Sequence, residues 1–364
     1  METVRCCVPG IERYIVSAIF YIIFVLGCVG NLLVILVVIK NKDVFRNTTN
    51  LFILNLAVAD LFFLIFCVPF HATIYHVRHW MFGNFMCKLV HLVQYLSMMA
   101  SILTLVAMSL DRFLAVGYPL STKHIRTPIV ALVISVVIWI VSCGVALQMF
   151  FVYTVRNYTS EDVTVCSDDW APNYDHRRIY FLCLFLIGYI IPLISIAVPS
   201  ALLIRQLWSL PVTEGPGLRG SNRAKRRVTR LVIVIVGLFF ACWFPMHAIW
   251  MSVNWNPESW SRNYSYWHYY SRMFAQTLAY ANSAMNPVIY AFLSTQFRKG
   301  FHRALHCARR SDGRATYVSG QHFSSKYRHS MVTQANSRPN NSCISFAGLA
   351  ERRTSLTNAT DTSV

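Results

Sequence analysis

Long apolar stretches separated by short polar links dominate the chain. Seven such runs stand out, at residues 15–39, 50–75, 85–116, 129–151, 179–207, 228–251 and 266–292. As helices rising 1.5 Å per residue, each is long enough to cross the roughly 30 Å hydrocarbon layer of a bilayer. The third is the longest. Its stretch CKLVHLVQYLSMMASILTLVAMSLDRFLAVGYP (87–119) has no proline before Pro119 and makes a helix of about 45 Å, the expected axis for the other six. Pro69, Pro192, Pro199, Pro245 and Pro287 fall inside other runs. Membrane bundles tolerate this because neighbouring helices and waters satisfy the carbonyls that proline frees.

The links between the first four runs are short. The link from 152 to 178 is longer, and LPVTEGPGLRGSN between the fifth and sixth runs reads as a Pro/Gly-rich turn region. The expected architecture is all-α: a short outer segment (1–14), a seven-transmembrane helix bundle (15–292), an amphipathic interfacial helix (293–310) and a disordered tail (311–364) rich in Ser, Thr, Asn and Arg.

Composition strengthens this reading. Hydrophobic residues make up 55% of the 364 and charged residues only 13%, against about 25% in a typical soluble domain. The net charge of +18 would suit nucleic acid if it were spread over a surface, but it sits in clusters between charge-poor runs. With the N-terminus outside, the cytosolic side receives Lys40, Lys42, Arg46, Lys123, Arg126, the 219–230 cluster and the tail. The whole basic excess then falls there, leaving the outer side close to neutral, as the positive-inside rule demands. The first run follows Glu12-Arg13 without a clean secretory signal, so it reads as a retained helix that directs insertion. The 11 cysteines need no disulfide framework, since many fall inside the apolar runs as small hydrophobes.

A few polar residues inside the runs carry candidate chemistry. Asp60 is a carboxylate at membrane depth, which must find partners or a proton. Asn31, Ser101, Asn282 and Asn286 fall at similar depth. The set reads either as a structural hydrogen-bond network or as an oxygen cage for sodium. Asp111-Arg112 ends the third run as an interface anchor or as a switch. In the Cys242-Trp243-Phe244-Pro245 run a large ring sits beside a weak point in the helix; Asn286-Pro287 with Tyr290 forms a second polar break. Phe297, Phe301, Ala304, Leu305 and Ala308 line one side of FRKGFHRALHCARR, where Cys307 is a candidate for acylation. Asn157-Tyr158-Thr159 is an outer glycosylation sequon. Thr362 and Val364 in the final DTSV suit a PDZ edge.

These pieces together resemble the rhodopsin-like G-protein-coupled receptors over residues 15–310. The resemblance rests on Gly30-Asn31, Leu56 to Asp60, Trp80-x-Phe82-Gly83, Trp139, Pro192, the CWFP run and the NPVIY run, in that order. Within the family the chain is similar to the galanin and invertebrate allatostatin-A receptors, through NTTNLFILNLAVAD, CVPFHATIY, MSLDRFLAV, RRVTRLVIVIVGLFFACWFP and AYANSAMNPVIYAFLSTQFRKGF; AQTLAYANSAMNP leans to the allatostatin-A side.

The resemblance implies a receptor without enzymatic activity, multi-pass in the plasma membrane. Its N-terminus would be extracellular and its C-terminus cytoplasmic. A neuropeptide would promote nucleotide exchange on a heterotrimeric G protein, by default of the inhibitory class. Arrestin, a PDZ-domain protein and membrane lipid are further implied partners; nucleic acid is not. It also implies a Cys87–Cys166 disulfide, a sodium-site region at Asp60, Ser101, Asn282 and Asn286, and an activation switch comprising Asp111, Arg112, Trp243, Pro245, Asn286, Pro287 and Tyr290. There is no organic cofactor. Two departures stand out. Ser200 occupies the fifth-run position where the family often has tyrosine, and Lys225-Arg226-Arg227 offers no acid to pair with Arg112.

Gln94 stands where receptors for small amines carry an aspartate, which argues against a cationic amine. His91, Gln94, Tyr95, His247, Trp250, Trp267, Arg272, Phe274 and Gln276 are the peptide-binding candidates. Glu161, Asp162, Asp168, Asp169 and Asp175 in or near the second outer loop offer steering for a basic peptide. The competing readings are a receptor for another peptide or a small ligand, a non-signalling decoy, and a transporter. The transporter is disfavoured because there is one deep acid and no pair of matching halves.

Overall fold

The computed structural model describes residues 10–40, 47–77, 79–158, 163–170, 174–208, 216–256, 266–294 and 297–303. Helix α1 (Gly10–Lys40) is followed by α2 (Thr48–Phe66) and α3 (Val68–Val77), which together form the second span. Then come α4 (Gly83–Gly117), α5 (Pro128–Val152), strands β1 (Tyr153–Tyr158) and β2 (Val163–Asp168), and α6 (Tyr174–Phe185). A π-helical turn (Leu186–Ile190) joins α6 to α7 (Ile191–Trp208), and α8 (Pro216–Trp255) and α9 (Tyr266–Leu293) complete the bundle. All seven expected spans are present, mostly longer than the apolar runs that announce them. Six are apolar enough along their length to cross a membrane. The seventh, α9, is diluted by Gln276, Asn282, Ser283 and Asn286, which are all buried inside the bundle.

Helix α4 contacts α2, α5, α7, α8 and both strands, and α9 closes the ring onto α1. The exposure pattern is that of a protein solvated by lipid. Leu26, Ile65, Ile129, Ile140, Ile187 and Phe292 face outward, whereas Asn31, Asp60, Thr104 and Asn286 are buried. Aromatic and amide contacts tie the centre together: Trp139 Nε1 donates to Asn55 Oδ1 (2.8 Å), Asn55 Nδ2 donates to Thr104 Oγ1 (2.7 Å), and Thr104 Oγ1 donates to the Ala100 carbonyl (2.6 Å). One polar chain thus bridges α5, α2 and α4 where water is absent, so each bond replaces an otherwise unmet polar group.

The irregularities follow from the prolines. Pro69 has no N–H to continue the ladder, and the second span breaks at Cys67, whose Sγ reaches the Val90 carbonyl (3.4 Å). The π turn immediately precedes Ile191-Pro192. The proline ring would clash with the carbonyl four residues earlier, and widening the helix relieves that clash. Gly30 has a separate reason. A Cβ there would come within 2.8 Å of Pro287, so α1 and α9 can approach only at a glycine.

The structure corrects two sequence expectations. Residues 216–222 of the supposed turn region form the start of α8, with Pro216 as its first residue, a position that suits proline's fixed φ and missing donor. The long 152–178 link contains an antiparallel hairpin with Val155 opposite Cys166. The remaining end of the chain, from 296, is a separate unit, of which the helical turn 297–303 is described; there Phe297 and Phe301 lie 6.1 Å apart on one side. The rest of the expected 293–310 helix, with Cys307, and the terminal Thr362 and Val364 lie outside the described residues.

Candidate functional site

The hairpin is pinned at one end of the bundle. Cys87 at the start of α4 and Cys166 on β2 form a disulfide with Cα atoms 5.7 Å apart. The Trp80 backbone N–H donates to the Thr164 carbonyl (2.7 Å) and its indole N–H to the Gly83 carbonyl (2.8 Å). Gly83 adopts φ +74°, a left-handed value that glycine reaches without Cβ strain, so the Trp80-x-Phe82-Gly83 turn is built for this contact. Asn84 Oδ1 accepts from the Val155 backbone N–H (3.1 Å).

Beneath the hairpin lies a cavity of about 400 Å³. Of the expected ligand-facing residues, His91, Gln94, Tyr95, Trp250, Arg272 and Gln276 line it. His247 lies just below, 1% exposed, with its ring 5.2 Å from Trp250. Trp267 and Phe274 do not line it. They are 77% and 59% exposed on the outer surface of α9. Aromatic residues occur on both faces of that helix end, so composition could not set its rotation.

Sequence reasoning missed several lining residues: His71, Tyr75, Tyr153 and Arg177; Asp168, expected nearby as a steering acid, also stands in the wall. His71 was hidden in an apolar run, and Tyr153 is placed only by the unforeseen hairpin. The Nδ1 atoms of His71 and His91 each lie 2.9 Å from the carbonyl four residues earlier. A carbonyl only accepts, so the proton is on Nδ1, and in the neutral ring each Nε2 is left as an acceptor. Tyr75 Oη donates to Gln276 Oε1 (2.7 Å), and Gln276 Nε2 donates to Tyr280 Oη (2.6 Å). Tyr153 stacks on His91; burial, followed by the charge of Asp168, pushes its phenol well above the ordinary tyrosine range. Of the acids expected to steer a basic peptide, the three described are already paired: Asp168 with Arg177 (2.7 Å), Asp169 with Arg156 (2.5 Å) and Asp175 with Arg178 (3.4 Å); Glu161 and Asp162 lie outside the described residues.

An aromatic column descends from the cavity along α8. Trp250, His247, Trp243 and Phe239 follow one another at ring separations of 5.2, 6.4 and 5.9 Å. Gln94 Oε1, Trp243 Nε1, His247 Nε2 and Asn254 Oδ1 are buried without a hydrogen-bond partner. Pro245 lies inside α8 within this column.

Deeper in the bundle, Asn286 Nδ2 donates to Asp60 Oδ2 (2.7 Å), and the Ser283 side chain also bonds Asp60. Asn31 Nδ2 donates to the carbonyls of Gly27 and Ser283 (both 2.9 Å), while Asn31 Oδ1 is buried without a partner. Carboxylate, hydroxyl and an unused amide oxygen are a donor set that fits a hard cation. Ser283 is a member that sequence reasoning missed. Ser101 and Asn282 are buried, and neither makes a described hydrogen bond to Asp60. Tyr290 and Pro287 complete this stretch of α9, with Tyr290 fully buried.

At the end opposite the hairpin, Asp111 is a hub. It is 7% exposed and accepts from Thr48 Oγ1 (2.8 Å), Thr49 Oγ1 (3.1 Å), Arg126 Nε (3.3 Å) and the adjacent Arg112 guanidinium. Thr48 and Thr49 open α2, where Asn47 caps the helix by accepting from the Thr49 N–H (3.0 Å). Arg112 thus pairs with the adjacent Asp111.

A seven-helix membrane bundle with an open cavity at one end and a clasped charge pair at the other defines a membrane receptor. The family described as 7 transmembrane receptor (rhodopsin family) matches residues 30–290. The chain is 42% identical over 300 residues to galanin receptor 2b of Danio rerio, covering 82% of this chain and 77% of that protein. It is 40% identical over 326 residues to galanin receptor type 2 of Rattus norvegicus (86% and 83%) and 35% identical over 306 residues to galanin receptor type 1 of Homo sapiens (83% and 85%). The chain therefore belongs to the rhodopsin family of seven-transmembrane receptors and, within it, to the galanin-receptor subfamily. It is a multi-pass membrane signalling receptor, not an enzyme.

Proposed function

We propose that the chain is a neuropeptide receptor whose cavity takes one end of a galanin-like or allatostatin-A-like peptide and whose opposite end promotes nucleotide exchange on an inhibitory heterotrimeric G protein. The observation that carries this reading is the 400 Å³ cavity lined by both imidazole acceptors and aromatic rings, directly above the Trp250–Trp243 column. Aromatic surfaces with a few oriented polar groups suit a peptide with aromatic and aliphatic side chains. Gln94 in place of an acid argues against an amine. The hairpin end is extracellular in this reading, which places the disulfide in an oxidising compartment and the exposed Asn157 within reach of glycosylation. Cys307 is the acylation candidate; Thr362 and Val364 are the PDZ-ligand positions, and arrestin is a further partner.

The mechanism is a population shift. Peptide contacts with Tyr95 and Trp250 favour a different packing of the aromatic column, with α8 bending at Pro245. The α8 end beyond the column then moves, Arg112 leaves Asp111, and the freed guanidinium meets the G protein. Tyr290 exchanges partners in the same step. The coupling is reciprocal, so G protein raises peptide affinity. Sodium, held by Asp60, Ser283 and Asn31, would stabilise the resting state through its charge.

The deciding experiment is agonist-stimulated nucleotide exchange in membranes carrying the full chain, with galanin-like and amidated allatostatin-A-like peptides tested against inhibitory and phospholipase-coupled G proteins. A response to one peptide class, abolished by Arg112→Ala, supports the reading. Silence towards both with receptor at the surface overturns the ligand assignment. Sodium that lowers agonist affinity in the parent but not in Asp60→Asn supports the cation site.

A further inference from the structure

Two neighbouring spans are each broken by a proline, Pro192 near the start of α7 and Pro245 inside α8. Ahead of Pro192 the helix widens into the π turn, where the Ile191 N–H donates to the Leu186 carbonyl. The extra residue brings two consecutive positions, Gly188 and Tyr189, to the inside. Gly188 backs onto α4, where a Cβ would come within 3.3 Å of Met99 Sδ, and Tyr189 turns to α8. The Tyr189 ring lies 4.9 Å from His247 and 5.1 Å from Phe240, stacked on Phe185. Its Oη donates to the Phe240 carbonyl (3.1 Å). A helical carbonyl has a second lone pair to offer, and among these rings it spares the hydroxyl an unmet bond.

The place of this bond on α8 gives it a consequence. Phe240 lies about 7.5 Å along the helix from Pro245, towards the Asp111 end. Pro245 has no N–H for the Ala241 carbonyl, so α8 bends most readily in this turn. On the cavity side of the same proline, Arg178 Nε donates to the Asn254 carbonyl (3.2 Å). That carbonyl is in the last turn of α8, where the helix dipole favours a cation. Helix α8 is therefore tied to the α6 span on both sides of its weak point. If the cavity end stays held at Asn254, a bend at Pro245 carries Phe240 away from Tyr189 and stretches the lower tie.

We propose that Tyr189 is a positioning residue of the switch. Its hydroxyl, acting through the Phe240 carbonyl, holds the part of α8 below Pro245 against the π turn in the resting state, and the bond is given up when that part swings away. This role rests on the movement of α8 in the population shift and is independent of which peptide drives it. A phenyl ring would fill the same space, so the hydroxyl is what separates a brace from packing.

The test reads the position of α8 directly, without peptide or G protein. In the full chain, p-acetylphenylalanine replaces Lys123 and Arg230, both exposed at the Asp111 end, and is coupled to nitroxides, which leaves the cysteines untouched. Electron–electron resonance in phosphatidylcholine nanodiscs then gives the distribution of distances between them. Tyr189→Phe is expected to raise the minor long-distance population about fivefold, the effect of losing one ordinary hydrogen bond, with basal nucleotide exchange rising in step. 3-Fluorotyrosine at position 189, a stronger donor in nearly the same shape, is expected to lower that population below the parent's. Tyr180→Phe is the control: its Oη donates to the Val145 carbonyl of α5 (3.2 Å), away from α8, and the distances should not change. An unchanged or shortened distribution in Tyr189→Phe would overturn the proposal. So would an equal rise in Tyr180→Phe, which would mean general loosening, or a rise with 3-fluorotyrosine. If the distances respond as expected while the parent gives no nucleotide exchange with any peptide, the brace stands and the signalling assignment falls.

Discussion

The cavity at the hairpin end and the Asp111 hub at the other handle polar groups in opposite ways. At the hairpin end, buried polar atoms are left without partners: Gln94 Oε1, Asn254 Oδ1 and, below them, His247 Nε2 and Trp243 Nε1. At the other end a single carboxylate, Asp111, receives donors from Thr48, Thr49, Arg112 and Arg126. Buried polar atoms are normally satisfied, and leaving one unmet costs about 1–3 kcal/mol. The cavity therefore carries several unmet bonds that a ligand can complete, while the Asp111 carboxylate is fully engaged, although Thr229 Oγ1 near that end of α8 is also buried without a partner. In the proposed mechanism the molecule gains free energy at one end by binding and gives some up at the other to open. That is the asymmetry a receptor requires, since a ligand shifts an equilibrium only by its differential affinity for the two states.

The largest effect is expected from breaking the hairpin's attachment. Cys166→Ser removes a cross-link of the kind worth about 2–5 kcal/mol. Because β2 carries Thr164, Val165 and Asp168 into the cavity wall, the loss should appear in ligand binding. Peptide affinity is expected to fall by about 100-fold or more, measured by radioligand competition on receptor counted at the surface by biotinylation. Retained affinity at normal surface levels would mean that the Trp80 and Asn84 bonds hold the hairpin without the disulfide.

Next in size is Asp111→Asn. It leaves two guanidinium groups facing a neutral amide; removing one partner of a buried pair costs about 3–5 kcal/mol, less here because Arg112 and Arg126 keep 13% and 22% exposure. Agonist-independent nucleotide exchange should rise about tenfold, with a lower melting temperature in detergent. Unchanged basal exchange would show that the hub is scaffolding and that Arg112 is held elsewhere.

How much of this was legible beforehand follows from the range of each interaction along the chain. The spans were readable because lipid exposure imposes an apolar pattern over 20 or more residues. Gly30, Asp60 and the proline positions were readable as breaks in that pattern. Arg126 was not readable as an Asp111 partner, because 15 residues and a turn separate them and nothing local marks the pairing. Thr48 and Thr49 fall just before the second apolar run, where nothing local marks their hydroxyls as partners of the hub. The hairpin strands are six residues each, too short for periodicity to separate them from loop, and with them went Tyr153 as a cavity residue. Trp267 and Phe274 failed for a different reason: an aromatic at a membrane interface is favoured on either face of a helix, so its type says nothing about its direction.

A milder pair of substitutions sharpens the contrast between the two ends, because their signatures should cross. Gln94→Leu removes a buried oxygen that has no partner. Receptor stability should hold or rise, since an unmet acceptor disappears, while peptide affinity falls about fivefold to tenfold as the ligand loses a bond worth about 1 kcal/mol. Retained affinity would place the ligand's polar contact elsewhere in the cavity.

Thr48→Val is the smallest change and the most discriminating. It removes one of several donors to Asp111, the hydroxyl at 2.8 Å, and keeps the side chain's shape. The loss is about 1 kcal/mol, seen as a slightly lower melting temperature and a basal exchange rate raised about fivefold at most, with peptide affinity in G-protein-free membranes rising rather than falling. The direction follows from linkage: weakening the clasped state raises the fraction of receptors already in the binding-competent form. If Thr48→Val instead lowered peptide affinity as Gln94→Leu does, the two ends would not share one equilibrium. The contrast between an unfilled end and a saturated end would then describe two independent features of the bundle, not the two sides of a switch.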